Sequence, residues 1–259
     1  MTFSRFFQIK FLFLHRFRAK NIIQTTFIQI TYCRSIFYTT TKTEKQKDIY
    51  LIINEIKLTK MKKETHIAIF GSGNGTNAQR ICEYFRENPS IKISTIITNK
   101  KDAYIVERAK NLGIPSHYFN RSQFYSSNDV LSYLKENEID FIILAGFLWL
   151  VPQNLLESYP NKIINIHPAL LPNYGGKGMY GMHVHEAVIA NHEKESGITI
   201  HFVDENYDEG KTIFQAKCQI EASDDAESLA QKIHLLEYEH FPKVIEDVII
   251  NYKHNKNDK

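Results

Sequence analysis

Cysteine is scarce in this chain: three in 259 residues, Cys33, Cys82 and Cys218, with no Cys-x-x-Cys pair. An odd number so widely spaced supports neither a disulfide framework nor a cysteine zinc site, and it implies a reducing compartment, the cytoplasm. Long hydrophobic runs are missing too. None approaches the about 18 apolar residues that a membrane-spanning helix requires. Acidic residues are absent from positions 1–40, but that imbalance is local. Residues 1–60 hold 11 Lys/Arg against 3 Asp/Glu, which leaves 21 basic and 26 acidic residues for the rest. A mildly acidic body lacks the basic face with which proteins hold nucleic acid, so small molecules are the expected partners, with no nucleic acid and no membrane.

The first sixty residues are basic, aromatic and poor in acid, and three readings compete for them. A transit peptide has this charge bias. A secretory signal has only the short run Phe11-Leu-Phe-Leu14 to use, and His15-Arg-Phe-Arg18 follows it. In the third reading translation starts at Met61, because Met61-Lys-Lys-Glu64 directly precedes a buried-strand pattern. The chain therefore divides into an N-terminal extension, 1–60, and a domain, 61–259.

The domain alternates strands and helices, as a parallel sheet flanked by helices does. His66-Ile-Ala-Ile-Phe70 is an apolar strand that runs into a glycine-rich turn. Thr76 to Arg86 has Ala78, Ile81, Cys82 and Phe85 at helical spacing. A β-rich stretch, 91–98, precedes a helix that Asp102 is placed to cap and that Gly113 and Pro115 end. Further helices are expected at 126–137, after Pro152, at 183–192 and at 225–250. Strands are expected at 141–145, 162–166, 197–203 and 212–218. Strands this continuously apolar belong in a sheet buried on both faces. The pattern is one doubly wound α/β domain with a mostly parallel sheet and helices on both sides.

The turn Gly71-Ser-Gly-Asn-Gly-Thr-Asn77 lies between a strand and a helix, where free backbone N–H groups and the helix dipole favour an anion. It is no dinucleotide fingerprint. The third glycine of G-x-G-x-x-G would fall at Thr76, and the second strand ends Thr98-Asn-Lys100 without the ribose-binding acid. A phosphate cradle made by Gly75, Thr76 and Asn77 is what remains. Further along, Asn165 and His167 stand two apart in a strand and so share a face, while Ile164 and Ile166 point the other way. They lie at a strand end, where open α/β sheets bind their ligands. An amide that donates to an oxyanion, beside an imidazole that moves protons, suits acyl transfer. A carboxylate near the imidazole would raise its pKa, and Asp204, Glu205, Asp208 and Glu209 are all candidates. His183 and His185 diverge on a helix and make a poor chelate, and His201 reads as a packed strand residue. No metal site is expected.

Taken together, Gly73-Asn-Gly-Thr-Asn77, Leu144-Ala-Gly-Phe147, Asn165-Ile-His-Pro-Ala-Leu-Leu-Pro172, His201-Phe-Val203 and Asp208-Glu-Gly210 resemble the folate-dependent phosphoribosylglycinamide formyltransferases of purine biosynthesis. The resemblance runs from about Ile67 to Ile249. It implies the formyltransferase fold, 10-formyltetrahydrofolate as co-substrate, and phosphoribosylglycinamide as acceptor. It also implies a catalytic set of Asn165, His167 and Asp208, thereby selecting one of the four carboxylates, with the imidazole protonated. The ribonucleotide would meet Gly75, Thr76, Asn77 and, in the last helix, Glu237. The folate would meet Leu148, Trp149, Leu150 and Val151, with Asn165, Asp204 and Asp208 around its pterin. Two features depart from the family. Trp149 stands where many relatives have arginine, and 124–128 lacks the arginine that bacterial relatives place near the folate tail. Two related activities fit less well. Methionyl-tRNA formyltransferases add an RNA-binding domain, whereas 51 residues follow Asp208 here. Formyltetrahydrofolate hydrolases carry an N-terminal ACT domain, whose strand-helix alternation residues 1–60 do not show.

Overall fold

A computed structural model describes residues 49–51 and 64–257. The chain divides into two units, Met1–Lys63 and Glu64–Lys259. The expectations for residues 1–60 fall almost wholly outside the described residues. The second unit is built on a seven-stranded sheet of order β3-β2-β1-β4-β5-β6-β7. Its strands are β1 (Thr65–Phe70), β2 (Ile91–Thr98), β3 (Ser116–Tyr118), β4 (Phe141–Leu144), β5 (Ile163–His167), β6 (Glu195–Phe202) and β7 (Thr212–Gln219). Pairings from β3 through β5 are parallel, and β6 and β7 then run antiparallel. The helices are α1 (Thr76–Phe85), α2 (Tyr104–Leu112), α3 (Arg121–Tyr125), α4 (Asp129–Glu136), α5 (Gln153–Ser158), α6 (Met182–Ala190) and α7 (Ala226–Asn257).

Strand alternation sorts the apolar residues into two cores, one on each face of the sheet. Ile67, Ile69, Ile143, Ile164 and Ile166 face a core that α1, α2, α6 and α7 complete with Ile81, Ile105, Val188 and Ile233. Ala68, Phe70, Ile142, Leu144 and Ile163 face the second, closed by Phe124, Val130, Leu134 and Leu155 from α3, α4 and α5. Each large side chain fully buried here contributes roughly 1.5–3 kcal/mol of transfer free energy. The doubly wound expectation is met. Among the described residues no helix is long and apolar enough to cross a membrane.

Some local expectations are corrected. α2 starts at Tyr104, with Ala103 as its N-cap and no side-chain cap, so Asp102 does not cap it. The helix expected at 126–137 is shorter, and α3 precedes it, held by a capping box between Asn120 and Gln123. Edge strand β3 has three residues, two of them exposed, which leaves no apolar alternation to read.

This topology fixes where a ligand goes. β1 pairs with β2 on one side and β4 on the other, so the chain reverses its direction of sheet growth between them. The crevice at the C-terminal ends of such strands is the general binding place of open α/β sheets. Three sequence features converge there: the glycine turn after β1, residues 145–151 after β4, and Asn165 with His167 at the end of β5.

Candidate active site

The phosphate end is the glycine turn. Gly75 is the N-cap of α1 with φ +73°, and a Cβ there would lie 2.8 Å from the Cβ of Ile105. Glycine is required for both reasons, positive φ and closeness. No side-chain cap occupies the N-terminus of α1, and its first turn holds no acidic residue. The leading N–H groups of the helix, at Thr76 and Asn77, are therefore open to an anion. Arg108 holds the turn from α2, its Nε donating to the Asn74 carbonyl at 2.7 Å. The Asn77 side chain is engaged elsewhere: Nδ2 donates to Glu237 Oε2 at 2.9 Å. His234 Nδ1 donates to the same oxygen at 2.9 Å. Glu237, on α7, is buried, and its hydrogen bond raises the pKa of His234. The structure thus joins the glycine turn to Glu237, two features 160 residues apart in sequence.

The chemical end is centred on Asp208. Its Oδ1 lies 3.4 Å from Asn165 Nδ2, and its Oδ2 lies 3.4 Å from His167 Nδ1. The Gly176 N–H donates to Oδ2 at 3.0 Å. The spacing-based expectation holds: Asn165 and His167 share a face while Ile164 and Ile166 pack in the core behind them. Asp208 has φ +59°, and this left-handed backbone costs a non-glycine residue free energy that the surrounding bonds offset.

His201 corrects the sequence reading. It is buried, but it belongs to the site and not merely to the packing. β6 pairs antiparallel with β5 in a register that sets His201 opposite Asn165. Nδ1 of His201 donates to the Phe202 carbonyl at 2.9 Å, which leaves Nε2 as the acceptor for Asn165 Nδ2 at 3.1 Å. Both N–H donors of Asn165 are thus directed, the longer one to Asp208. A substrate oxyanion can take over that longer contact.

The electrostatics also depart from expectation. Asp208 does pull the His167 pKa upward, but burial outweighs it, and the net shift is downward. His201 adds to the fall. His167 Nε2 donates to the Tyr174 carbonyl at 2.7 Å, so acceptors flank both ring nitrogens. The imidazolium satisfies both acceptors at once, while the buried position opposes its charge. Burial therefore favours the neutral ring, while Asp208 and the Tyr174 carbonyl stabilise the ring when it gains a proton. Burial pushes the Asp208 carboxyl up, but the adjoining His201 and His167 rings and the Gly176 N–H together hold it below the usual carboxylate value.

The residues expected at the folate divide. The Leu148 backbone N–H donates to Ser72 Oγ at 3.1 Å, tying this stretch to the glycine turn. The Leu150 carbonyl accepts from Tyr125 Oη at 2.9 Å. Trp149 packs on Phe124 and Tyr125. The Val151 side chain is buried in the second core and offers no surface. Asp204 accepts from the Asn206 N–H at 3.0 Å and shapes its own loop. One further residue was missed. The Arg121 guanidinium carbon sits 4.9 Å from the Tyr125 ring centroid and 5.7 Å from that of Trp149. A cation over two rings beside this stretch is placed to meet an anionic group. The Arg121/Tyr125 spacing of four was a usable signal, but only on a helix that the sequence did not reveal.

The family model described as Formyl transferase matches residues 65–245. A chloroplastic phosphoribosylglycinamide formyltransferase from Arabidopsis thaliana is 38% identical over 185 residues, covering 69% of this chain and 63% of that protein. Phosphoribosylglycinamide formyltransferase from Bacillus subtilis is 36% identical over 189 residues, covering 70% of this chain and 93% of that protein. A crystal structure of the enzyme of that name from Streptococcus pneumoniae superposes with a TM-score of 0.63 at 34% identity, over 71% of this chain and 99% of that one. The chain spans a little under two thirds of the plant relatives it matches, 64% for the Vigna unguiculata protein.

Proposed function

The chain belongs to the formyl transferase family, and on that premise we propose that it transfers the formyl group of 10-formyltetrahydrofolate to the amine of phosphoribosylglycinamide, a step of purine biosynthesis. The observation that carries this reading is the Asn165–His167–Asp208 constellation at the C-terminal end of β5, with contacts at 3.4 Å. A phosphate-ready turn bonded to Glu237 lies in the same crevice and supports a phosphorylated acceptor.

In this mechanism Thr76 and Asn77 hold the ribonucleotide phosphate through backbone N–H groups, with Gly75 allowing the close approach. Glu237 accepts hydrogen bonds from sugar hydroxyls. The folate lies along Leu148, Trp149 and Leu150, under the loop that Asp204 shapes. Holding both partners turns a bimolecular encounter into an intramolecular one, a large contribution to rate. The amine attacks the formyl carbon. Asn165 donates to the oxyanion, and neutral His167 takes the amine proton at Nδ1, the nitrogen beside Asp208, directly or through a water as the C–N bond forms. The resulting imidazolium is stabilised by Asp208, and it returns the proton to N10 as the C–N10 bond breaks and tetrahydrofolate leaves. Unpaired Cys82 and Cys218 support a reducing compartment, the cytoplasm, as the place of action. The test is tetrahydrofolate release from 10-formyltetrahydrofolate with and without the ribonucleotide. Release that depends on the amine supports the reading, and equal release without it overturns the reading.

Arg121 supplies a candidate contact for the folate's glutamate tail, the role left open by Trp149 and by the arginine-free segment 124–128. Replacing Arg121 by Ala is expected to raise KM for the formyl folate about tenfold, one charge-assisted contact, and to leave KM for the ribonucleotide unchanged. Steady-state kinetics with each substrate varied in turn measures this, and an unchanged folate KM would remove Arg121 from the tail site.

A further inference from the structure

The mechanism leaves one buried polar group of this crevice unused. His185, on α6, is 3% exposed, and its Nδ1 is buried without a hydrogen-bond partner. The other buried residues of α6 are Val184 and Val188. At such a position Nδ1 gives up water and receives no hydrogen bond in return, a cost that a leucine of similar volume would not carry. Unsatisfied buried groups of this kind call for an explanation, and a bound partner is one of the standard ones.

The neighbours indicate which partner. α6 packs on α7. Besides burial, the groups that act on the His185 charge are His234 and Glu237 of α7 and His167 at the end of β5. Glu237 is bonded to Asn77 of the glycine turn, whereas His167 faces Asp208. His185 therefore lies near both Glu237, which borders the phosphate end, and His167 at the proton-carrying end. An acceptor anchored by its phosphate and reacting at its amine must cross that span with its sugar and its glycinamide amide. Both portions carry hydroxyl, N–H or carbonyl groups that can pair with an imidazole nitrogen.

We propose that His185 Nδ1 forms a hydrogen bond with the ribose–glycinamide portion of the acceptor ribonucleotide, making His185 a specificity-determining residue of the acceptor site. The proposal rests on the acceptor assigned under Proposed function. Burial and His234 keep the ring below the ordinary histidine pKa, so it meets the ligand as a neutral partner.

The test is calorimetric titration of the full chain with phosphoribosylglycinamide, before and after His185→Leu, together with thermal unfolding of both. The expected result is an about tenfold weaker Kd, roughly 1.4 kcal/mol, an unchanged affinity for the formyl folate, and a Tm unchanged or raised. His185→Asn, which keeps hydrogen-bonding capacity, should recover part of the affinity. Ribose 5-phosphate as a second probe separates the two portions. A loss shared by both ligands assigns the bond to the sugar, and a loss confined to the ribonucleotide assigns it to the glycinamide. An unchanged ribonucleotide Kd in His185→Leu overturns the proposal, as does a lowered Tm with both affinities falling together. An unaltered protein that does not bind the ribonucleotide instead removes the acceptor reading itself, along with this one.

Discussion

Replacing His167 by Ala is expected to lower kcat for formyl transfer by on the order of 10³-fold, within the range of general acid–base contributions. Ribonucleotide binding should stay within about threefold, because no contact of the glycine turn or of Glu237 passes through the imidazole, and a change that small is under 1 kcal/mol. The size of the effect follows from the geometry. His167 is the one imidazole of the site within 3.4 Å of the Asp208 carboxylate, and it is buried enough to be neutral before it is asked to carry a proton. His201 is less well placed for the role, since its Nδ1 is committed to the Phe202 carbonyl and its Nε2, engaged with Asn165, lies 3.7 Å from Asp208. Rapid-mix kinetics for turnover, with calorimetry for binding, separates the two quantities. A variant within tenfold of the unaltered kcat would remove the proton-carrying role.

The second large effect is expected at Asp208. Asp208→Asn keeps the shape but removes the charge that stabilises the imidazolium, and it substitutes a neutral group at the hub that joins Asn165, His167 and Gly176. A fall in kcat of roughly 10²–10³-fold is expected, about 3–4 kcal/mol of transition-state stabilisation. The accompanying pH effect has a definite sign. The His167 pKa already lies below the ordinary value because burial outweighs Asp208, whose charge raises it. Since the neutral ring is the active form, kcat/KM should fall as the pH drops through that value, below about 6.5. Removing Asp208 removes an upward pull, so the titration of His167 must move to still lower pH. Proton NMR of the His167 ring gives both midpoints. A midpoint that rises in Asp208→Asn contradicts the assignment of Asp208 as the partner that favours the charged ring.

How much of this was legible beforehand depended on whether a feature is local. The strand expected at 66–70, the helix expected at 76–86 and the shared face of Asn165 and His167 are written in periodicity, and the structure has the strand at Thr65–Phe70 and the helix at Thr76–Phe85. The glycine turn was legible because positive φ at Gly75 has a residue-type signature. His201 was not. Its alternation with Ile198 and Ile200 shows which face it takes, but only the β5–β6 register shows that Asn165 lies opposite. The downward pKa of His167 was equally hidden, because a nearby carboxylate can be inferred from a loop, whereas the degree of burial is a property of the whole crevice. Arg121 and Trp149 meet through α3, a five-residue helix. Its capping box Asn120-x-x-Gln123 was present in the sequence, though the helix is too short for periodicity to reveal. Edge strand β3 carries no hydrophobic pattern and shows itself only as a pairing with β2.

The central claim is that the formyl carbon passes directly to a phosphorylated amine at the His167 site. Following a ¹³C-labelled formyl group by NMR in a mixture of the protein, 10-formyltetrahydrofolate and phosphoribosylglycinamide tests it most directly. Formyl transfer predicts that the label leaves the folate and appears in the N-formyl ribonucleotide, with one tetrahydrofolate formed per product. Label appearing as free formate at the same rate whether or not the ribonucleotide is present would contradict it.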